Sequence, residues 1–300
     1  MFIERTSVGL DVHARSVVAA AIDGVTGGVV QCRLTPSFEH IRSWLAERAG
    51  PVAVVYEAGP TGFVLARVAE RRGLDIRVVA PGSIPRAPGD RVKTDRRDAK
   101  RLVRLLAAGE LRFVFVPSEA DERFRDLVRC IDDARRDLMR SRHRLSKFLL
   151  RRGVRFQGKA WTQQHGRWLC TLDFEDPLSR VVFVDYLSAV QGLAQRRKTL
   201  IGVLEEAVPQ SSHAETVSRL RCFRGIDTLT AAGLCAEVGD FARFPKPGLL
   251  SGFLGIVPSE YTSDETRTQG HITKAGPTNA RRLWSRPPTT TVTAQRSART

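Results

Sequence analysis

Residues 7–23, SVGLDVHARSVVAAAID, decide the fold. Two apolar runs flank a short polar turn at Asp11–Arg15, the pattern of two strands joined tightly. Residues 27–34, GGVVQCRL, continue as a third strand after a Gly-Gly turn. In residues 37–50, SFEHIRSWLAERAG, helical spacing puts Ile41, Trp44 and Leu45 on one face. Residues 51–59, PVAVVYEAG, read as a short buried strand ending at Glu57. Residues 61–73, TGFVLARVAERRG, form a helix stopped by Gly73, and 74–82, LDIRVVAPG, a further strand. Three meandering strands, then helix, strand, helix and strand, predict a layered α/β domain with antiparallel strands first and parallel ones after.

Beyond that domain the pattern turns helical. From Thr94 to Gly109, Leu102, Leu105 and Leu106 make an apolar stripe. A long, mostly helical stretch follows at about 118–152. Its second part, residues 134–155, carries nine basic residues against one acid, Asp137, around a seam of Leu138, Leu145, Phe148 and Leu149. Such a surface fits a solvated coiled-coil face and equally a helix laid along a phosphate backbone. Residues 153–215, with Trp161, Gln163, Gln164, His165 and Trp168, read as an irregular or helical connector, helical again over 178–208. No internal repeat is evident. A Gly225-Ile226-Asp227 turn then precedes a small-residue helix, Thr228 to Val238, stopped by Gly239. This resembles a helix-hairpin-helix element, whose N-terminal amides can receive a phosphate. Small residues at that spacing also simply permit close helix packing.

The chain has 300 residues, room for two domains. Its 48 Lys and Arg against 32 Asp and Glu give a net charge of +16, which favours a polyanionic partner. Five scattered cysteines, Cys32, Cys130, Cys170, Cys222 and Cys235, without a CxxC pair, argue against a zinc site or a disulfide framework and fit buried free thiols in a reducing cytosol. No apolar N-terminal leader and no apolar run near twenty residues are present, so neither secretion nor a membrane span is expected, and the chain is read as cytoplasmic.

The chemistry concentrates in acids at the ends of the early elements. Asp11 lies in the first strand and Glu57 ends the fourth. Asp95 and Asp98, in KTDRRDAKRL (93–102), open the next helix. Sites in α/β folds gather at strand ends and helix starts. The i, i+3 spacing puts Asp95 and Asp98 on one helical face, leaving Arg96 and Arg97 for phosphates. The two aspartates alone fit pairing with Lys93 and Arg101 on a surface. Glu57, at the end of an apolar strand, is costly without a partner or metal. Four carboxylates from three segments suit Mg2+ or Mn2+ and phosphoryl transfer.

GLDVHA, YEAGPTG and KTDRRDAKRLVRLL, in this order, together with GIDTLTAAGLCAEVGDFARF and LLSGFLGIVPSEYTSDETRTQGHITKAGPTNARRL, resemble the DEDD-type insertion-sequence transposases of the IS110 family over most of residues 8–284. The resemblance implies a ribonuclease-H-like (RuvC-like) N-terminal domain over 1–117. It further implies a long helical connector over 118–210 and a mainly α-helical C-terminal transposase domain over 211–285. It makes Asp11, Glu57, Asp95 and Asp98 the metal-binding tetrad for Mg2+ or Mn2+. It also implies a serine nucleophile that joins a DNA phosphate. Where the family reads Tyr-Ser-Ser-Gly, this chain has Tyr261-Thr262-Ser263-Asp264, making Ser263 the candidate and Ser259 the alternative. Arg267, His271, Lys274, Arg281 and Arg282 surround the motif as phosphate contacts. Arg142, Arg144, Lys147, Arg151, Arg152 and Gly225 complete the expected nucleic-acid contacts. Expected partners are element-end and target DNA, a structured guide RNA and further copies of the chain, as a dimer or tetramer. A RuvC-like nuclease using water, or an inactive remnant that only binds nucleic acid, are the alternatives. After ARRL the chain departs from the family into WSRPPTTTVTAQRSART, so 286–300 is expected to be a disordered or aberrant tail left by a frameshift or truncation.

Overall fold

The computed structural model describes residues 6–85, 94–263 and 266–285. Lys93, Asp264 and the 286–300 tail, each given a reading above, lie outside the described residues. The chain divides into two compact units, residues 1–117 and 118–300.

The first unit is a sheet covered on both faces. Its strands are β1 (Thr6–Val12), β2 (Val17–Ile22), β3 (Val29–Leu34), β4 (Val52–Glu57) and β5 (Ile76–Val79). They lie in the order β3-β2-β1-β4-β5. β1 pairs antiparallel with β2 and parallel with β4, and β4 pairs parallel with β5. This five-stranded mixed sheet is consistent with the ribonuclease-H-like expectation. Strand alternation sends Val8, Leu10, Val54, Tyr56 and Val78 to one face, against α1 (Phe38–Ala46) and α2 (Val64–Arg71) through Ile41, Trp44, Leu45, Ala66 and Ala69. The other face, with Val18, Ala20, Val55 and Val79, packs against α3 (Asp95–Ala107) through Ala99, Leu102, Val103 and Leu106.

α3 comes unusually close to β1, and Gly9 is the reason. A Cβ on Gly9 would meet the Ala99 carbonyl oxygen at 2.6 Å, the Val103 nitrogen at 2.7 Å and the Leu102 Cβ at 2.9 Å. Only hydrogen fits there.

The second unit is built on two long helices, α4 (Glu119–Arg151) and α6 (Pro177–Ala207). They run antiparallel. Phe124 and Val128 at the start of α4 share a cluster with Leu204, whereas Phe148 near its end packs with Phe183. α4 alone is roughly 50 Å long at 1.5 Å per residue. The helical seam expected for α4 is present, with Leu138, Leu145, Phe148 and Leu149 all buried. α5 (Gln163–Thr171) sits in the connector. α7 (Ala214–Arg221), α8 (Thr228–Val238), α9 (Pro247–Leu254) and α10 (Thr278–Trp284) follow. Ala231 and Cys235 of α8 lie in the same cluster as Phe124 and Leu204, so segments 118–210 and 211–285 share one core.

One element was not expected, and one expectation needs correction. A hairpin of β6 (Pro258–Ser263) and β7 (Thr266–Ile272) interrupts the helical C-terminal region. Its strands are polar and carry no apolar alternation, so periodicity did not announce it. All five cysteines are free, but only Cys235 is buried; Cys170 on α5 and Cys222, in the turn after Arg221, are exposed.

Candidate active site

β1 and β4 end side by side. With Leu10 opposite Tyr56, Asp11 and Glu57 take the next positions on neighbouring parallel strands. Both alternate away from Leu10 and Tyr56 and so share the face covered by α3. The close approach at Gly9 draws the first turn of α3 onto this corner. Thr94 caps the helix, its hydroxyl accepting from the Arg97 N–H. Asp95 and Asp98 stand in the first turn, where negative charge is favoured by the helix dipole.

The His13 Nε2 lies 3.1 Å from Asp11 Oδ2 and 3.6 Å from Asp95 Oδ1. Among the described residues, donor atoms of Asp11, His13 and Asp95 all lie within 4.8 Å of one another. Glu57 and Asp98 are not members of that group. Asp98 nonetheless acts on Asp11 through its field. Burial raises the Asp11 carboxyl above the ordinary value; His13 opposes this by charge and hydrogen bond, while the nearby charges of Asp95 and Asp98 add to the rise. Salt-bridge pairing, the other reading of the aspartates, is realised at Asp98, whose Oδ1 faces Arg101 Nη1 at 3.3 Å.

This corner fits a divalent cation on its own terms. Hard carboxylate oxygens converge from two segments, and their mutual repulsion already disfavours the charged form of Asp11. His13 was missed in the sequence. A histidine two residues after a strand aspartate reads as turn chemistry, and the available signal was the i, i+2 alternation that returns both side chains to one face.

The C-terminal candidates are differently placed. Ser263 is the last residue of β6, paired in register with Thr266. Ser259, on the same strand, donates its hydroxyl to the His271 carbonyl at 3.1 Å. Arg267 and His271 lie on β7, and Lys274 follows it with a positive φ of 55°. Arg281 is turned inward, its Nη1 donating to the Leu254 and Ala275 carbonyls at 3.0 and 2.9 Å. Arg282 reaches Asp132 at 2.7 Å. The Gly225 turn has a φ of 87° and leads to α8. The α8 N-terminus is not left open: the Asp227 carboxylate accepts from the Thr230 N–H at 2.7 Å.

Along α4, Arg144, Lys147 and Arg151 are exposed and recur at helical spacing on one side. Arg142 is half-buried, its guanidinium 4.9 Å over the Trp161 ring, where burial and then the neighbouring Arg197 lower its pKa. Arg152 stacks 3.7 Å over Phe148 and donates to the Ser179 hydroxyl. In the first unit Arg96 and Arg97 are exposed at the start of α3. No helix among the described residues is long and apolar enough to cross a membrane.

Comparison with known proteins places these features in a lineage. Residues 8–152 match the family model DEDD_Tnp_IS110, described as a transposase, and residues 217–300 match the model "Transposase IS116/IS110/IS902 family". The "Putative transposase y4qE" of Sinorhizobium fredii is 40% identical over 267 residues, covering 89% of this chain. The chain spans 62% of that relative's length. The transposase for insertion sequence element IS1533 of Leptospira borgpetersenii is 35% identical over 241 residues, 78% of this chain and 70% of the relative. On that identity and coverage, the chain belongs to the IS110 family of insertion-sequence transposases.

Proposed function

We propose that this chain is a DNA transposase that cuts and joins DNA by metal-assisted phosphoryl transfer through a covalent serine–DNA intermediate. The observation that carries the reading is the convergence of Asp11 and Asp95 within one donor group, with Asp98 close enough to act on Asp11, in a chain of this family. Asp11, Glu57, Asp95 and Asp98 are the residues that would hold Mg2+ or Mn2+. When bound, such a cation supplies charge neutralisation at a phosphate and eases deprotonation of a nucleophile.

The chain's own groups do the rest. The Ser263 hydroxyl oxygen attacks the phosphorus and gives up its proton to a base. The bond to the departing sugar oxygen breaks, and that oxygen takes a proton. Arg96 and Arg97, exposed beside Asp95, meet flanking phosphates. The exposed Arg144, Lys147 and Arg151 edge of α4 suits a nucleic-acid backbone, and a structured guide RNA held by shape and phosphate contacts fits such a surface. Holding several strands at once calls for a dimer or tetramer.

The test is incubation of the full chain with element-end DNA, flanking-region RNA and Mg2+ or Mn2+, resolved on denaturing gels. A protein–DNA adduct that vanishes in both Ser263→Ala and Asp11→Asn supports the proposal. Cleavage that persists in Ser263→Ala without an adduct would show water to be the nucleophile. Binding with no metal-dependent strand scission would leave a nucleic-acid-binding remnant.

A further inference from the structure

His13 has no part in the four-carboxylate scheme, yet the fold delivers it to the centre of the site. Val12 packs against the core on the α1 and α2 face of the sheet. Alternation then sends Asp11 and His13 together to the α3 face. The His13 N–H donates to the Ser16 carbonyl at 2.9 Å, which closes the β1–β2 turn and fixes the backbone that carries the ring. The imidazole is 51% exposed, so burial of its apolar carbons does not by itself account for its position. What it does touch is a carboxylate from each of two segments far apart in sequence.

We propose that the His13 Nε2 is a direct nitrogen ligand of the cation shared by Asp11 and Asp95, and that it tilts the site toward Mn2+ over Mg2+. The inference rests on the metal-site reading above and goes beyond it in ligand and ion preference. The distances support sharing. In an octahedral shell of radius about 2.1 Å, adjacent ligand atoms lie roughly 3.0 Å apart and opposite ones roughly 4.2 Å. Nε2 is 3.1 Å from Asp11 Oδ2, close to an adjacent pair, and 3.6 Å from Asp95 Oδ1, between the two limits. A plain hydrogen bond would need one carboxylate partner, whereas here the same nitrogen faces two.

The consequence for ion choice is chemical. Imidazole is a softer donor than carboxylate and adds affinity for transition ions, whereas Mg2+ strongly prefers oxygen and water. A three-carboxylate or four-carboxylate site would accept both ions. A site with one nitrogen favours Mn2+.

The experiment uses the full chain and Mn2+ itself as the probe. Pulsed electron paramagnetic resonance of bound Mn2+ detects coupling to a directly ligated 14N nucleus. Titration calorimetry gives Mn2+ and Mg2+ affinities. In the unsubstituted chain the nitrogen coupling is expected. In His13→Gln the coupling should disappear, and Mn2+ affinity should fall roughly tenfold or more with a smaller change for Mg2+. Mn2+ that binds, weakens in Asp11→Asn, and yet shows no nitrogen coupling and no change in His13→Gln would overturn the His13 role and leave the carboxylate site standing. Absence of any Mn2+ or Mg2+ binding that depends on Asp11 would remove the underlying metal site as well. The nitrogen signal of the unsubstituted chain needs no variant to fold.

Discussion

Replacing Gly9 with alanine puts a methyl group where the α3 backbone already lies. The added Cβ would sit 2.6 Å from the Ala99 carbonyl oxygen and 2.7 Å from the Val103 nitrogen, against an ordinary contact distance beginning at 3.4 Å. Relief requires β1 and α3 to separate by about 0.8 Å, and the obstacle is helix backbone, which cannot swing aside as a side chain can. Overpacking of this kind costs about 1–3 kcal/mol, and a backbone obstacle puts the change toward the upper end. For a unit of this size each kcal/mol lowers the melting temperature by about 4 °C. The same retreat displaces Asp95 from His13 and Asp11, so Mn2+ affinity should drop together with stability. Hydrogen exchange read by mass spectrometry separates the two units in the full chain. Amides of β1 and α3 should exchange faster in Gly9→Ala, while those of α4 and α6 should not change. Unaltered β1 exchange together with unaltered Mn2+ binding would refute the close-approach argument.

Three other outcomes are expected in the second unit. Burial lowers the His213 pKa despite the opposing charge of Asp121, with Arg125 adding to the lowering. The unfolded chain therefore binds the proton more readily, and stability falls as pH drops below about 6.5. His213→Gln should flatten that part of the urea-unfolding profile between pH 7.5 and 5, and identical slopes would count against it. Asp132 is buried and receives Arg135 at 2.8 Å and Arg282 at 2.7 Å. Burial would raise its carboxyl, but the Arg135 hydrogen bond and the charges of Arg282, Arg135 and Arg136 outweigh that and hold it below the ordinary value. Its stabilising contribution is therefore complete above about pH 4 and lost as pH falls through the depressed value. Asp132→Ala should cost about 1–3 kcal/mol and speed exchange in α10; unchanged exchange there would show the arginine cluster to be idle. Finally, iodoacetamide should label Cys170 and Cys222 in the native chain but spare Cys235, whose thiol burial pushes up to about 12. Labelling of Cys235 before unfolding would contradict its place in the core.

Where the sequence speaks through periodicity, the fold is readable. β1 to β5 and α1 to α4 follow from alternation, helical stripes and glycine stops, and the α4 seam residues are buried as their spacing implies. The acids at strand ends and the first helical turn are likewise visible as chemistry out of place. Three things are not. The β6–β7 hairpin is made of polar residues, so no hydrophobic alternation betrays it. The fate of individual arginines is tertiary: Arg282 meets Asp132 across 150 residues of chain, and Arg281 turns to the Leu254 and Ala275 carbonyls. A run of charge along a sequence does not say which members are already paired. His13 escaped because its meaning depends on Asp95, which the sheet and α3 bring to it from 82 positions away.

Core and site place opposite demands on the same three elements. Packing asks β1 and α3 to touch, and Gly9 permits it. That contact carries two carboxylates of α3 toward one on β1, where burial and like charge already work against ionisation of Asp11. A sequence selected for stability alone would neutralise one of these acids, since isolated like charges at a covered corner gain nothing from their proximity. The neighbouring core shows no such conflict: Val8, Leu10 and Val55 are apolar and wholly buried, and the buried Tyr56 donates its hydroxyl to the Gly62 carbonyl at 3.1 Å. Local disagreement of this kind, inside an otherwise consistent unit, is the expected mark of a functional site. A bound cation would resolve it, because the like charge that works against ionisation of Asp11 would become attraction for the ion. The Gly9 contact therefore belongs to the site as much as to the core, since the packing that closes the unit also sets the carboxylate spacing.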